Sequence, residues 1–294
     1  MSLSSWFLKK IISMYRSEWD NGHPLVHVEG NLERHQYEYG ILQFKTKIKT
    51  GIGDDIYMKN VLEIGCGQGG ICIYAAMVGA QKVTGIDVSD SALFAAKNLK
   101  GKIEHETGKT LPLEYKKMFA ENLEFKDQEI DIIIADNVFE HVGNLNKVMS
   151  ECARVLNKHG KVIVPNFPSF RSKYGPHVKY GIKLPWVHIF FSEKTIVKVM
   201  HQLALTDPKM YEFYPGLKNG AKTFKEIRAY KDLNYISNKI FIQAAKKSGL
   251  HVESMYVTRS KWHWLLMKAF PILRKTVLED ILSLGTSAVL VKKI

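Results

Sequence analysis

The chain has 294 residues, 46% apolar and 24% charged, enough to bury a sizeable core in one or two domains of an ordinary globular protein. Basic residues outnumber acidic ones 42 to 29, a net charge of +13, which favours an anionic partner such as nucleic acid, an acidic membrane surface or a phosphorylated substrate. The lysines are scattered rather than blocked, so a solvated basic surface fits equally well. Three cysteines (Cys66, Cys72, Cys152) without metal spacing exclude a disulfide framework. No apolar run reaches the roughly 18 residues of a membrane span, and no signal-peptide core is present. The expectation is a cytoplasmic protein, with the inner face of the membrane as an alternative address.

Residues 1–20 carry Leu3, Phe7, Ile11, Met14 and Tyr15 at helical spacing. This predicts an amphipathic helix that packs on the domain or lies on an anionic membrane with Trp6 and Trp19 at the interface. Asn21–Pro24 breaks it. Residues 27–39 are polar and aromatic, the kind of segment that covers a cofactor, and 51–55 reads as a linker. Residues 1–55 are therefore expected to be an N-terminal helical cap segment. Val61–Ile64 reads as a buried strand, 71–78 as a helix, Lys82–Asp87 as a second strand and 91–99 as a helix. A charged loop follows over 101–109, then strands over 113–119 and 130–136. A helix is predicted over 144–156, stopped by Gly160 as a C-cap, then a strand over 161–165. Strands alternating with helices mean a parallel, doubly wound sheet.

From 166 to about 229 the rhythm changes. Five prolines, many aromatic residues and one clear helix over 193–205 suggest a substrate cap inserted at 167–229. A helix over 232–248 ending at Gly249, a strand over 252–258 and a strand over 286–291 complete a core made of 56–166 and 230–294. Between the last two strands, 262–284 is apolar and basic. It reads as a crossover helix packed on the sheet, or as an interfacial helix near a lipid-linked substrate.

The stretch 60–70 organises the chain: a strand, a glycine turn (Gly65, Gly67, Gly69, Gly70) and a helix start. Glycines let the backbone turn tightly and approach a ligand, and the helix start offers unpaired N–H groups. The spacing fits both a dinucleotide fingerprint and the Glu-x-Gly-x-Gly-x-Gly pattern of enzymes that use S-adenosylmethionine (SAM). Glu63 suits a ligand with an ammonium group and repels a pyrophosphate. Asp87 falls about twenty residues past the glycines, where a ribose-binding carboxylate belongs. As a helix cap it is outdone by Ser89 and Asp90.

Four pieces in order, Val61-Leu-Glu-Ile-Gly-Cys-Gly-Gln-Gly69, Gly85-Ile-Asp-Val-Ser89, Ala135-Asp-Asn-Val-Phe-Glu-His-Val142 and Leu156-Asn-Lys-His-Gly-Lys-Val162, resemble the class I SAM-dependent methyltransferases. The similarity is to the broad group that holds ubiquinone-pathway enzymes and many sugar and natural-product methyltransferases. It implies a seven-stranded, mostly parallel α/β sheet with the last strand antiparallel, and SAM as cofactor. By resemblance, Glu63, Gly65, Cys66, Gly67 and Gly69 cradle the methionine part. Asp87 holds the ribose, with Val88 beside the adenine, and Asp136 and Asn137 line the sulfonium side. The acid that relatives carry next to the adenine amino group is Phe119 here. That leaves Ala120 and Glu121, with Glu121 as a substitute acid, or stacking and backbone alone. Some relatives bind a divalent ion at the fourth strand through an acid where this chain has Asn137, so no metal is expected.

Methyl transfer to a hydroxyl needs an oriented acceptor and a base. His141 follows the fourth strand, where ligands bind in such sheets, and its ordinary pKa near 6.5 suits a base. It is equally well read as a residue that packs the next helix. The cap adds His177 and His188 as bases or hydroxyl ligands, and Tyr174 and Trp186 as acceptor contacts. The cap stretch is similar to one in methyltransferases encoded with glycan-assembly genes, against which stands its reading as a small core of Trp186, Phe190 and Phe191. Arg171, Lys173, Lys179 and Lys183 flank it and suit an anionic acceptor. The expected partner is a small-molecule or glycan acceptor, with peripheral membrane contact as an option. An RNA substrate is disfavoured because neither a contiguous basic face nor an appended RNA module is visible.

Overall fold

The computed structural model describes residues 5, 8, 9, 56–173, 175–177, 181–182, 184–227, 234–270, 272 and 276–292. In chain order the main elements are β1 (Asn60–Ile64), α1 (Gly70–Met77), β2 (Lys82–Asp87), α2 (Asp90–Thr107), β3 (Leu113–Lys117) and β4 (Ile130–Ala135). Then come α3 (Leu145–Val155), β5 (Leu156–Phe167), α4 (Glu193–Ala204), α5 (Asn238–Lys247), β6 (Leu250–Arg259), α6 (Lys261–Ala269) and β7 (Ser283–Lys292). The chain divides into two compact units. One comprises Val28–Phe167, Asn238–Val257 and Thr286–Ile294; the other comprises Met1–His27, Pro168–Ser237 and Thr258–Gly285.

The first unit holds a seven-stranded sheet in the order β3-β2-β1-β4-β5-β7-β6. The pairs β1–β2, β1–β4, β2–β3 and β4–β5 are parallel, and β5–β7 is antiparallel. This is the expected doubly wound class. Strand order reverses between β1 and β4, so the carboxyl ends of β1, β2 and β4 open on a crevice where ligands bind in such sheets. Leu62 on β1 and Ile133 and Ile134 on β4 are fully buried, as strands covered on both faces require. Ile73 and Ala75 of α1 pack with Leu93, Ala96 and Leu99 of α2 and with Val83 and Ile134 of the sheet. A separate aromatic cluster joins Phe241 of α5 to Phe167, stacked at 4.6 Å, and to Phe139 at 5.7 Å.

Three elements depart from the sequence expectation. The loop predicted over 101–109 is helical as far as Thr107, because Leu93, Ala96 and Leu99 anchor one face of α2 and Ile103 continues it. Gly108 in the left-handed conformation then ends the helix. The predicted stop of α3 at Gly160 is absent. The helix ends at Val155, Leu156 turns extended, and β5 starts there, with Leu156 opposite Ile130 across an irregularity in the ladder. Sheet pairing thus displaced the glycine cap. The helix predicted from 232 starts at Asn238; residues 232 and 233 lie outside the described set, and 234–237 are not helical.

In the second unit, Ile196, Val199 and Met200 of α4 share a core with Met210, Leu217 and Phe224 from the short helical turns that follow it. Leu8 belongs to the same core. Of the helix predicted over 1–20, only Ser5, Leu8 and Lys9 are described, all helical, and the 27–39 segment lies outside the described residues.

Phe241→Ala removes the ring shared by Phe139 and Phe167. The expected cost is about 3–5 kcal/mol, read as a lowered urea midpoint at unchanged m-value.

Candidate active site

The glycine turn after β1 is built by close approach. Gly65, Gly67 and Gly69 all have positive φ, at 67°, 52° and 81°. A Cβ on Gly65 would meet Val138 Cγ2 at 2.5 Å, and one on Gly69 would meet the Tyr115 hydroxyl at 2.1 Å. A Cβ on Gly67 meets nothing within 4 Å. Gly65 and Gly69 are therefore glycines for packing, whereas Gly67 turns a bare backbone towards open space. The turn is held from two sides. Asp87, at the tip of β2, accepts the Gly67 N–H through Oδ2 and the Ser89 N–H through Oδ1, both at 2.9 Å. Tyr115 on β3 donates its hydroxyl to the Gly69 carbonyl at 3.2 Å.

Glu63 lies under the turn, 4% exposed. The Cys72 thiol donates to its Oε2 at 2.7 Å. Burial pushes the Glu63 carboxyl up to about 8, against the lowering effect of that thiol, and the charges of Asp136 and Asp87 push the same way as burial. Burial likewise raises the Cys72 thiol and the Tyr115 phenol. Glu63, Asp87 and Asp136 thus gather negative charge at the tips of neighbouring strands. A ligand carrying an ammonium or sulfonium would lower the cost of ionising Glu63.

At the tip of β4, Asn137 adopts φ 55°. Its N–H donates to the Asn166 carbonyl at 2.8 Å, and its Oδ1 accepts from Asn166 Nδ2 at 2.6 Å. Such backbone strain persists where surrounding contacts over-determine it, as here. At the tips of β2 and β3, Val88 and Phe119 are exposed, Phe119 by 61%. Ala120 is buried. Glu121 does not stand free as a substitute acid: its Oε1 accepts the N–H groups of Gly143 and Asn144, at 2.9 and 3.3 Å. The tips of β2 and β3 therefore present apolar side chains to solvent.

All the residues expected to bind cofactor, Glu63, Gly65, Cys66, Gly67, Gly69, Asp87, Val88, Ala120, Glu121, Asp136 and Asn137, lie at or just beyond the carboxyl ends of β1 to β4. Residues 62–164 match the model of a methyltransferase domain. The chain thus carries a methyltransferase domain over these residues, on the sheet topology of the class I SAM-dependent methyltransferases.

Over 104 residues it is 34% identical to the ubiquinone biosynthesis O-methyltransferase of Bartonella quintana and 33% identical to that of Maricaulis maris. The match covers 35% of this chain and 39% and 38% of those relatives. The chain thus matches about two fifths of the length of these curated relatives. Among solved structures, a putative SAM-dependent methyltransferase from Listeria monocytogenes superposes with a TM-score of 0.54 at 17% identity, covering 87% of this chain and all of that one. A SAM-dependent methyltransferase from Methanosarcina mazei gives 0.51 at 16% identity, covering 83% and 98%. These two likenesses concern the fold. These residues fit the methyltransferase cofactor SAM: a bare glycine backbone at Gly67, a carboxylate at the β2 tip and a buried acid, Glu63, whose ionisation a cationic ligand would favour.

His141 follows β4 in the sheet unit, its N–H on the Val138 carbonyl and its Nε2 3.9 Å from Glu140 Oε1. His177, Trp186 and His188 lie in the second unit, and Tyr174 lies outside the described residues. His177 has φ 57°, and its carbonyl accepts the Tyr214 hydroxyl. Burial against Phe170 lowers His188 to about 4, so at neutral pH it is an uncharged ring and a weak base. Trp186 gives its indole N–H to the Ile281 carbonyl at 2.7 Å and packs edge-on to His263. Phe190, expected in a small cap core, is 73% exposed.

Sequence reasoning missed Tyr115, Cys72 and Asn166. Tyr115 carried a signal, since it sits opposite Gly85 in the β2–β3 register and a Cβ on Gly85 would meet it at 2.7 Å. Cys72 and Asn166 carried none, because their partners are set by tertiary approach.

Two glycine variants separate packing from binding. Gly67→Ala is expected to fold, at a cost of about 1–2 kcal/mol for its left-handed backbone, while SAM affinity falls at least tenfold. Gly69→Ala is expected to lower the melting temperature more, because Tyr115 fills the space its methyl needs. Thermal unfolding and calorimetry on both variants check this.

Proposed function

We propose that this methyltransferase transfers the SAM methyl group to a hydroxyl of a small-molecule acceptor, with a phenolic quinone precursor as the favoured class. The relatives that share the cofactor half are O-methyltransferases of ubiquinone biosynthesis by name, and this observation carries the choice of acceptor. A sugar or glycan acceptor is the second reading. It is weakened because the indole N–H and one ring edge of Trp186, the proposed stacking platform, are already taken up by Ile281 and His263. A lipid- or phosphate-linked acceptor fits the +13 charge under either reading.

When bound, SAM supplies a methyl group already activated on a sulfonium. The protein's part is orientation, worth up to about 7–11 kcal/mol, and removal of the hydroxyl proton. In this reading the bare backbone at Gly67 and the buried Glu63 receive the amino-acid end. The remaining lone pairs of Asp87 accept the ribose hydroxyls. Val88 and Phe119 hold the adenine by apolar contact, while Asp136 and Asn137 flank the reacting sulfur. His141 takes the acceptor proton on its imidazole, and the neighbouring Glu140 carboxylate stabilises the resulting cation. His177 is the other candidate to orient the acceptor. His188 does not serve as base at neutral pH.

The test of the reaction is a SAM-consumption assay over separate acceptor pools: catechol-type quinone precursors, nucleotide sugars, lipid-linked oligosaccharides and total RNA. Turnover with the phenolic pool alone supports the proposal; turnover with sugars or RNA alone overturns it. With the active acceptor, His141→Ala should reduce kcat about 10²–10⁴-fold and leave SAM affinity within twofold. An unchanged kcat removes His141 from the mechanism.

Glu63 makes cofactor binding proton-linked. Its folded pKa, raised to about 8, means it is largely protonated at pH 7 in the free protein. The unfolded chain ionises near 4.5, so this group's contribution to stability is full below that value and is lost as pH rises through about 8. A cationic ligand lowers the folded pKa and expels the proton. Calorimetry of SAM binding at pH 7 in two buffers of different ionisation enthalpy should show release of a large fraction of about one proton. Glu63→Gln should abolish that release.

A further inference from the structure

The second unit carries a surface that methyl transfer does not use. Its α6 segment reads from sequence either as a crossover helix packed on the sheet or as an interfacial helix; Trp264, Leu265 and Leu266 lie open to solvent, Trp264 by 50%. Phe270 and Ile272, just past the helix, are also exposed, Ile272 by 75%. The short helix 187–190 lies beside this segment, since Trp186, which begins it, packs on His263 of α6 and bonds to Ile281. It adds the exposed ring of Phe190. An exposed apolar group of this extent marks an interaction site rather than ordinary surface.

Charge decides what covers it. Between Ser260 and Leu278 the sequence holds Lys261, Lys268, Arg274 and Lys275 and no aspartate or glutamate. Lys268 Nζ stands 5.0 Å over the Trp264 ring, so ammonium and indole sit together at the surface. Protein interfaces are depleted in lysine at their core. A second copy docking through the same patch would bring like charges together. A bilayer accepts both features: apolar side chains and Trp enter the headgroup boundary while lysines meet anionic phosphates. No helix among the described residues is long and apolar enough to cross a membrane, so the contact is peripheral.

We propose that the exposed apolar side chains of Trp264, Leu265, Leu266, Phe270 and Ile272, with Lys268 and Phe190, dock this protein on anionic phospholipid membranes. The inference is independent of the acceptor's identity and of SAM binding.

The full-length protein is mixed with 100 nm vesicles of phosphatidylcholine, with or without about 30% phosphatidylglycerol, and floated on a density gradient. Binding to the anionic vesicles is expected, weakening at least fivefold in 0.5 M salt and at least tenfold in the double variant Trp264→Ser/Phe270→Ser. Lys268→Glu should weaken it to a lesser degree. Tryptophan emission should shift to the blue with anionic vesicles and lose that shift in Trp264→Phe, a variant that keeps the apolar surface. Circular dichroism and SAM calorimetry, unchanged in each variant, show that the fold is intact. Absence of binding to anionic vesicles overturns the proposal. So does binding that the double variant leaves unchanged, or a concentration-dependent dimer abolished by the double variant without any vesicle binding.

Discussion

The site depends on one carboxylate. Asp87 spans from the tip of β2 to the glycine turn after β1, taking the Gly67 N–H on one oxygen and the Ser89 N–H on the other. Gly67 has a left-handed backbone, and a Cβ on it would meet nothing within 4 Å, so its position comes chiefly from this bond and from the glycines at 65 and 69. Those are wedged in turn: Gly65 against Val138 and Gly69 against Tyr115. Three neighbouring strands therefore meet at a turn that would otherwise be the most mobile part of the unit. Loss of any one support shifts a backbone that a ligand must approach closely.

That turn also explains the electrostatics. Bringing β1, β2 and β4 side by side places Glu63, Asp87 and Asp136 where each disfavours ionisation of the buried Glu63. A sheet could place any of these residues singly at little cost. Their convergence at a switch point means that a ligand bringing positive charge would ease the ionisation of Glu63.

The two units contribute differently. The sheet unit carries the cofactor residues and His141. The second unit has its own core around α4 and supplies His177, Trp186 and the surface at α6. Within it, burial lowers the pKa of His188, and Trp186 is bonded to Ile281. The match to known methyltransferases covers only residues 62–164, the stretch that holds the glycine turn and Asp87, so that similarity speaks to the cofactor more firmly than to the acceptor.

The strands and the helices after them were legible in the sequence because apolar periodicity and glycine punctuation report local geometry, whereas the antiparallel last strand followed only from the resemblance to a known family. Glu63, the three glycines of the turn and Asp87 were legible for the same reason, as spacing along β1 and β2 is conserved in space by the parallel register. What local pattern could not report were contacts made at a distance. Gly160 reads as a helix stop until β4 is there to pair with Leu156, and Glu121 reads as a spare acid until the 143–144 amides reach it. The residues of α6 read as core or as interface until the structure shows Trp264, Leu265 and Leu266 exposed. Sequence determines which faces can be buried; only tertiary structure decides which are, because burial needs a partner that arrives from elsewhere in the chain.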